Sequence, residues 1–158
     1  MREIILISFL GPDQPNQFTR LMQVLSAHSL QILDVGQAVI HNQLTLGIVV
    51  ASEDQTATAL AMKEILILAH DIGLTVRFKP ISATEYDQWV KEGGRTRYIV
   101  TALAPELNAS HLQAVTQIVS AQGFNIETVT RLSGRPALDG QSSGPKRACV
   151  EFGLKGQM

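Results

Sequence analysis

Apolar and polar positions along the chain change period several times, and each change marks an element. Residues 3–10 form a nearly continuous apolar run, EIILISFL, which reads as a buried strand. Residues 15–29 follow with Phe18, Leu21, Val24 and Leu25 at helical spacing, so a helix burying those four is predicted. Residues 32–40 and 44–51 read as two strands joined through His41-Asn42-Gln43. In residues 54–72 the apolar positions Leu60, Ile65, Leu68 and Ile72 recur at helical spacing, and Gly73 stops the helix. Residues 74–81 give a fourth strand. The order βαββαβ predicts an α+β, ferredoxin-like module: a four-stranded antiparallel sheet with two helices on one face.

The pattern then starts again. Sliding the chain against itself by 94 positions pairs Ile5, Gln23, Ser26, Ala27, Ile32 and Val35 with Ile99, Gln117, Ser120, Ala121, Ile126 and Val129. The same shift lays the first strand on residues 97–104, the first helix on 110–122 and the second strand on 126–134. Agreement between the shift and the elements argues for a repeat more strongly than the identities do. Three regions are predicted: a first module over residues 1–84, a linker helix over 85–96 opened by the capping box Ser82-Ala83-Thr84-Glu85, and a second module over 97–158.

The second module is predicted to be incomplete at its C-terminal end. A loop rich in Gly, Ser and Pro over residues 134–145 leads to a third strand at 147–154, with no second helix or fourth strand before Met158. In a ferredoxin-like sheet of order 4-1-3-2, that leaves the second module's first strand as an unprotected edge. This implies a piece of a longer protein, or a module completed by another chain.

Composition narrows the function. With 45% hydrophobic and 17% charged residues and a formal net charge of −1, the chain lacks the basic footprint of a nucleic-acid binder. No segment approaches the roughly 18 apolar residues that cross a bilayer. Cys149 is alone, which excludes an internal disulfide and suits a cytoplasmic location.

Catalytic patterns are missing. Asp13, Asp34, Asp54, Asp71, Asp87 and Asp139 include no pair two residues apart, so the aspartyl nucleophile with its acid–base partner is absent. There is no Walker loop, dinucleotide fingerprint, Gly-x-Ser-x-Gly or His-Glu-x-x-His. His28, His41, His70 and His111 lie far apart and read as surface or helix-end residues. RNA recognition on this fold needs aromatic residues on the central strands, where mainly Phe9, Tyr98 and Phe152 are available.

The stretch Gly11-Pro12-Asp13-Gln14-Pro15-Asn16 connects the first strand to the first helix. Such a connection leaves amide groups of the first helical turn unpaired, and Asp13 is placed to cap some of them. The same helix end, with its partial positive charge, suits the carboxylate of a small amphoteric ligand, while Asp13 or loop carbonyls receive its ammonium.

A βαββαβ module with Gly-x-Asp-x-Pro after its first strand resembles the ACT domain, which typically binds amino acids at dimer interfaces. More closely, MREIILISFLGPDQPNQFTRL, ILDVGQAVIH, VRFKPIS with EYDQWV, and IETVTRLSGR resemble the N-terminal tandem-ACT regulatory region of bacterial phosphoserine phosphatases. The resemblance implies a cytoplasmic regulatory region of L-serine biosynthesis, a homodimer, with L-serine or another small amino acid as ligand. It also implies a haloacid-dehalogenase-type phosphatase domain, with its Mg2+, beyond Met158; this chain alone would be no enzyme and would carry no cofactor. Gly11, Asp13 and Asn16 would hold the ligand, and Leu33, Asp34 and Val35 would form the wall across the dimer interface. Gln37 and His41 read as structural. Where the family commonly has a second glycine after the loop proline, this chain has Asn16. The second copy reads Pro105-Glu106-Leu107-Asn108 at the loop and is expected to be structural. A second reading is a stand-alone tandem-ACT regulator similar to the glycine cleavage system repressors.

Overall fold

The structure, a computed structural model, describes residues 2–93, 97–135 and 147–156. The chain divides into two compact units, Met1–Lys91 and Glu92–Met158.

The first unit contains β1 (Glu3–Pro12), α1 (Gln17–Ala27), β2 (Gln31–Ile40), β3 (Gln43–Ser52), α2 (Gln55–Asp71) and β4 (Thr75–Ile81), with all but the last two residues of α3 (Ala83–Gly93). Its sheet has the order β2-β3-β1-β4, with every pairing antiparallel. The ferredoxin-like module is therefore present as the hydrophobic pattern predicts. Alternate residues of β1 and β3, namely Ile5, Ile7 and Phe9 with Leu44, Leu46, Ile48 and Val50, turn toward the helices and form the core with Leu21, Leu25 and Ile65. This is the period-2 alternation of a sheet covered on one face.

Both helices are rotated from the faces that their large residues suggest. On α1 the inward positions are Gln17, Leu21 and Leu25, four residues apart, and Phe18 is exposed. On α2 the inward positions are Thr58, Ala61, Ile65 and Ala69, while Leu60 is exposed. Two of these inward positions are alanines, whose small side chains permit close packing of a helix on a sheet. Asp54 caps α2, its Oδ1 accepting from the N–H groups of Thr56 at 2.9 Å and Ala57 at 3.1 Å. The capping box of α3 forms in both directions: Ser82 Oγ accepts from Glu85 N–H at 3.1 Å, and Glu85 Oε2 accepts from Ser82 N–H at 2.8 Å.

The second unit holds β5 (Arg97–Ala104), α4 (Ala109–Ala121), β6 (Asn125–Arg131) and β7 (Ala148–Lys155). The sheet order is β5-β7-β6, which leaves β5 at an edge among the described residues. Of the loop predicted over residues 134–145, positions 136–145 lie outside the described residues.

The two units repeat each other in detail. Ile32 and Ile126 each precede a β-bulge, at Ile32/Asp34 and at Ile126/Thr128. Leu30 N–H donates to Leu25 O as Phe124 N–H donates to Val119 O, so α1 and α4 end in the same way. The shift of 94 positions holds for these elements but fails for the first strand. Ile5 faces Val50 on β3, and the residue that faces the matching Leu154 on β7 is Tyr98. Ile99, paired with Ile5 by the sequence shift, is 69% exposed against 6% for Ile5. The segment between strand and helix is one residue longer in the second unit, and a one-residue slip moves every strand side chain to the opposite face.

Candidate functional site

The connection between β1 and α1 is held by backbone and by one buried amide. Gly11 still belongs to the strand, opposite Leu44, and packs against the end of α2. A Cβ at this position would lie 2.7 Å from the carbonyl oxygen of Gly73 and 3.0 Å from Leu74 Cδ2. The glycine is thus required by close approach of two backbone segments. Asp13 N–H donates to Asn42 O at 2.8 Å, tying the loop to the β2–β3 turn. In that turn His41 and Asn42 both have positive φ, 47° and 60°, as a two-residue hairpin turn matched to the strand twist needs.

Gln17 was not among the residues singled out from the sequence, yet it organises the loop. It is 4% exposed. Its Oε1 accepts from Gln14 N–H at 2.9 Å, and its Nε2 donates to Pro12 O at 3.0 Å and to Ile72 O at 3.3 Å. One side chain thereby satisfies two loop groups and the end of α2. The signal was present in the sequence as a polar residue in the same helical register as Leu21 and Leu25.

The expected role of Asp13 as a helix cap is not what forms. The N-cap is Asn16, three residues further on, and Asp13 is exposed with no side-chain hydrogen bond among the described residues. Asn16 has φ 70° and ψ 0°, and its side chain makes no capping hydrogen bond. The left-handed conformation accounts for the residue type, since glycine and then asparagine tolerate it best. Asn16 thus stands in a backbone conformation that a glycine would also adopt, with its side chain exposed. In contrast, the caps of α2, α3 and α4 are closed by Asp54, Ser82 and Asn108. The first-turn amides of α1 are left without a capping side chain.

Leu33, Asp34 and Val35 sit at the β2 bulge. Leu33 is the extra residue between the paired positions Ile32 and Asp34, and Asp34 Oδ1 accepts from Val35 N–H at 2.9 Å. Bulges of this kind re-aim side chains at the margin of a sheet. Gly11 lies opposite Leu44, and Leu44 opposite Val39, five positions along β2 from Asp34. That separation is about 16 Å at the rise of a strand. Within one chain the loop and the bulge are not brought together. Gln37 pairs with Leu46 in the body of β2.

The remaining candidates are dispersed. His28 Nε2 lies 3.2 Å from Glu64 Oε1 at the C-terminal end of α1, and His70 and His111 occupy helix ends. No group of three or more His, Cys, Asp or Glu among the described residues is arranged to hold a metal ion. Phe9 and Phe152 are both buried beneath helices, unavailable for stacking on bases. Among the described residues no helix is long and apolar enough to cross a membrane.

Comparison with known proteins agrees with this architecture. The chain is 29% identical over 133 residues to phosphoserine phosphatase SerB2 of Mycobacterium tuberculosis, a match covering 84% of this chain and 31% of that protein. It thus spans about a third of the length of this curated relative. In fold it is similar to a protein described as a glycine cleavage system transcriptional repressor, with a TM-score of 0.65, 11% identity, and coverage of 98% of this chain and 81% of that one. A protein of unknown function from Galdieria sulphuraria gives a TM-score of 0.68 at 15% identity, with the same two coverages. The ACT domain family model matches residues 3–79, the body of the first unit. By this match the first unit, over residues 3–79, is similar to the ACT domain family.

Proposed function

We propose that the first unit is an amino-acid-sensing module, with L-serine as its ligand, that regulates a phosphoserine phosphatase in L-serine biosynthesis. The observation that carries this reading is the uncapped N-terminus of α1, presented by a loop locked in place by Gln17. The ligand carboxylate would take the first-turn amides of Phe18 and Thr19, assisted by the Asn16 amide, where the helix dipole favours negative charge. Its ammonium group would take the unpaired Asp13 carboxylate. Leu33, Asp34 and Val35 would close the site from a second copy, which makes binding and homodimer formation interdependent. That these residues lie far from the loop within one chain agrees with such a role. The catalytic domain and its magnesium ion would belong to another part of a cytoplasmic parent protein.

The fold likeness to a glycine cleavage repressor is shared by both readings of the chain. The 29% identity to a phosphoserine phosphatase favours the first. Titration calorimetry of the full chain with L-serine tests it. Heat of binding is expected, with Asp13→Ala reducing affinity by about 1–3 kcal/mol, the usual loss for a charged hydrogen-bond partner. Absence of heat with L-serine would overturn the ligand, and unchanged affinity in the variant would remove Asp13 from the site.

A further inference from the structure

Three turns meet at one end of the first unit, and each completes the bonding of another. The β1–α1 loop and the α2–β4 corner at residues 72–74 share the Gln17 amide. Its Oε1 accepts from Gln14 N–H at 2.9 Å, and its Nε2 donates to Pro12 O at 3.0 Å and to Ile72 O at 3.3 Å. Gly11 lies against the same corner, so closely that a Cβ there would stand 2.7 Å from Gly73 O. The β2–β3 turn joins through Asp13 N–H, which donates to Asn42 O at 2.8 Å.

These ties depend on one another. Gln17 is 4% exposed, so withdrawal of the corner alone would strand its amide donor away from water, and withdrawal of the loop alone would take from Ile72 O its side-chain partner. A buried polar group left unpaired costs more than its hydrogen bond contributes net, so separate openings are penalised relative to a joint one. Local opening in proteins occurs in such cooperative units. The opposite end of α1 is built differently, since Ser29 is exposed and its N–H donates only to Ser26 O, within the same turn.

We propose that the β1–α1 loop, the β2–β3 turn and the α2–β4 corner open and close as one unit. L-serine at the start of α1 then also holds shut the α2–β4 corner, a step that rests on the proposed serine site. A ligand that needs the loop in place binds only the closed state, and it depletes the open state in proportion to its concentration divided by Kd. β4 runs from this corner, Thr75 to Ile81, directly to the capping box of Ser82 and Glu85 that opens α3. Occupancy at the start of α1 is thereby felt at the strand that leads out of the sheet.

Native-state hydrogen exchange of the full chain tests the unit. Gly73 N–H and Leu74 N–H donate to His70 O at 3.2 Å and Ala69 O at 2.8 Å, so they report the corner, while Asp13 and Gln14 report the loop. Without ligand, these four amides are expected to share one opening free energy and one urea dependence, with Ser29 exchanging through a separate, smaller opening. With L-serine at about 100 times its Kd, exchange at Gly73 and Leu74 should slow by the same roughly 100-fold as at Gln14, and Ser29 should not change. Different opening energies for loop and corner, or protection of Gln14 without protection of Leu74, would overturn the proposal. Equal protection of Ser29 would also overturn it, by assigning the effect to global stabilisation. Absence of calorimetric heat with L-serine on the same sample would overturn the serine site and the ligand's part with it, while the ligand-free exchange decides the shared opening by itself.

Discussion

The side-chain amide nitrogen of Gln17 donates to the carbonyl oxygen of Ile72, 3.3 Å away and 55 residues further along the chain. Through this contact the start of α1 is fixed to the end of α2, and the loop that precedes α1 is fixed to both. Replacement of Gln17 by leucine keeps the volume but removes all three hydrogen bonds. It leaves Pro12 O, Ile72 O and Gln14 N–H without a partner in a part-buried setting. A loss of at least about 3 kcal/mol is expected, at roughly 1–3 kcal/mol for each of the three groups left unsatisfied. Urea unfolding of Gln17→Leu beside the parent chain measures it, and a loss under 1 kcal/mol would show that water replaces the amide.

Gly11 meets the same junction from the strand side. Its substitution by alanine would set a methyl group 2.7 Å from Gly73 O, which is backbone and cannot swing away. Gly11→Ala is expected to destabilise the first unit by about 1–3 kcal/mol, the range for forced overpacking. Gly36, where an added Cβ meets nothing within 4 Å, is the matched control, and Gly36→Ala should change the midpoint far less. Equal effects at the two positions would mean that the loop relaxes freely.

Much of this architecture was legible in the sequence. Strands such as β1 and β3 are dense in Ile, Leu and Val, and their ends coincide with turn residues, so their existence follows from hydrophobic pattern alone. The capping box at Ser82 and Glu85 was equally legible, because it depends on residues three apart. What failed depends on contacts between distant segments. Phe18 looked like a core residue by spacing, yet the inward line of α1 runs through Gln17, because Pro12 O and Ile72 O need its donors. The pairing of Ile5 with Ile99 failed because one additional residue before α4 is invisible to an ungapped shift. Asp13 looked like a cap, but the chain turns through a left-handed residue at Asn16 before the helix begins.

Asn16 provides a direct test of that turn. With φ at 70°, glycine is accepted there freely, and Asn16→Gly is expected to alter stability by no more than about 0.5 kcal/mol. A β-branched residue must either leave the left-handed region or remain strained, and Asn16→Val should cost about 1–2 kcal/mol. Chemical denaturation separates the two. In the serine titration, Asn16→Gly should weaken binding through loss of the amide, whereas a gain would show that the asparagine side chain obstructs the site.

Glu85 supplies a pH-dependent prediction for α3. The backbone N–H of Ser82 donates to its carboxylate, and this bond, followed by the one with the Ser82 hydroxyl, holds its pKa below the ordinary glutamate value. A carboxyl group whose pKa is lower in the folded state contributes stability above its unfolded pKa and loses that contribution as pH falls through the folded value. The carboxylate also lies in the first turn of α3, where negative charge is favoured by the helix dipole. Acidification should therefore fray the N-terminus of α3, at a pH below the ordinary range for a glutamate carboxyl. Tyr86 and Trp89 stand one helical turn apart with ring centroids at 5.6 Å, so fluorescence of this lone tryptophan follows the fraying. In Glu85→Gln the acid-dependent change in Trp89 emission should be absent at pH values above global unfolding. A change that persists in the variant would assign it to another group.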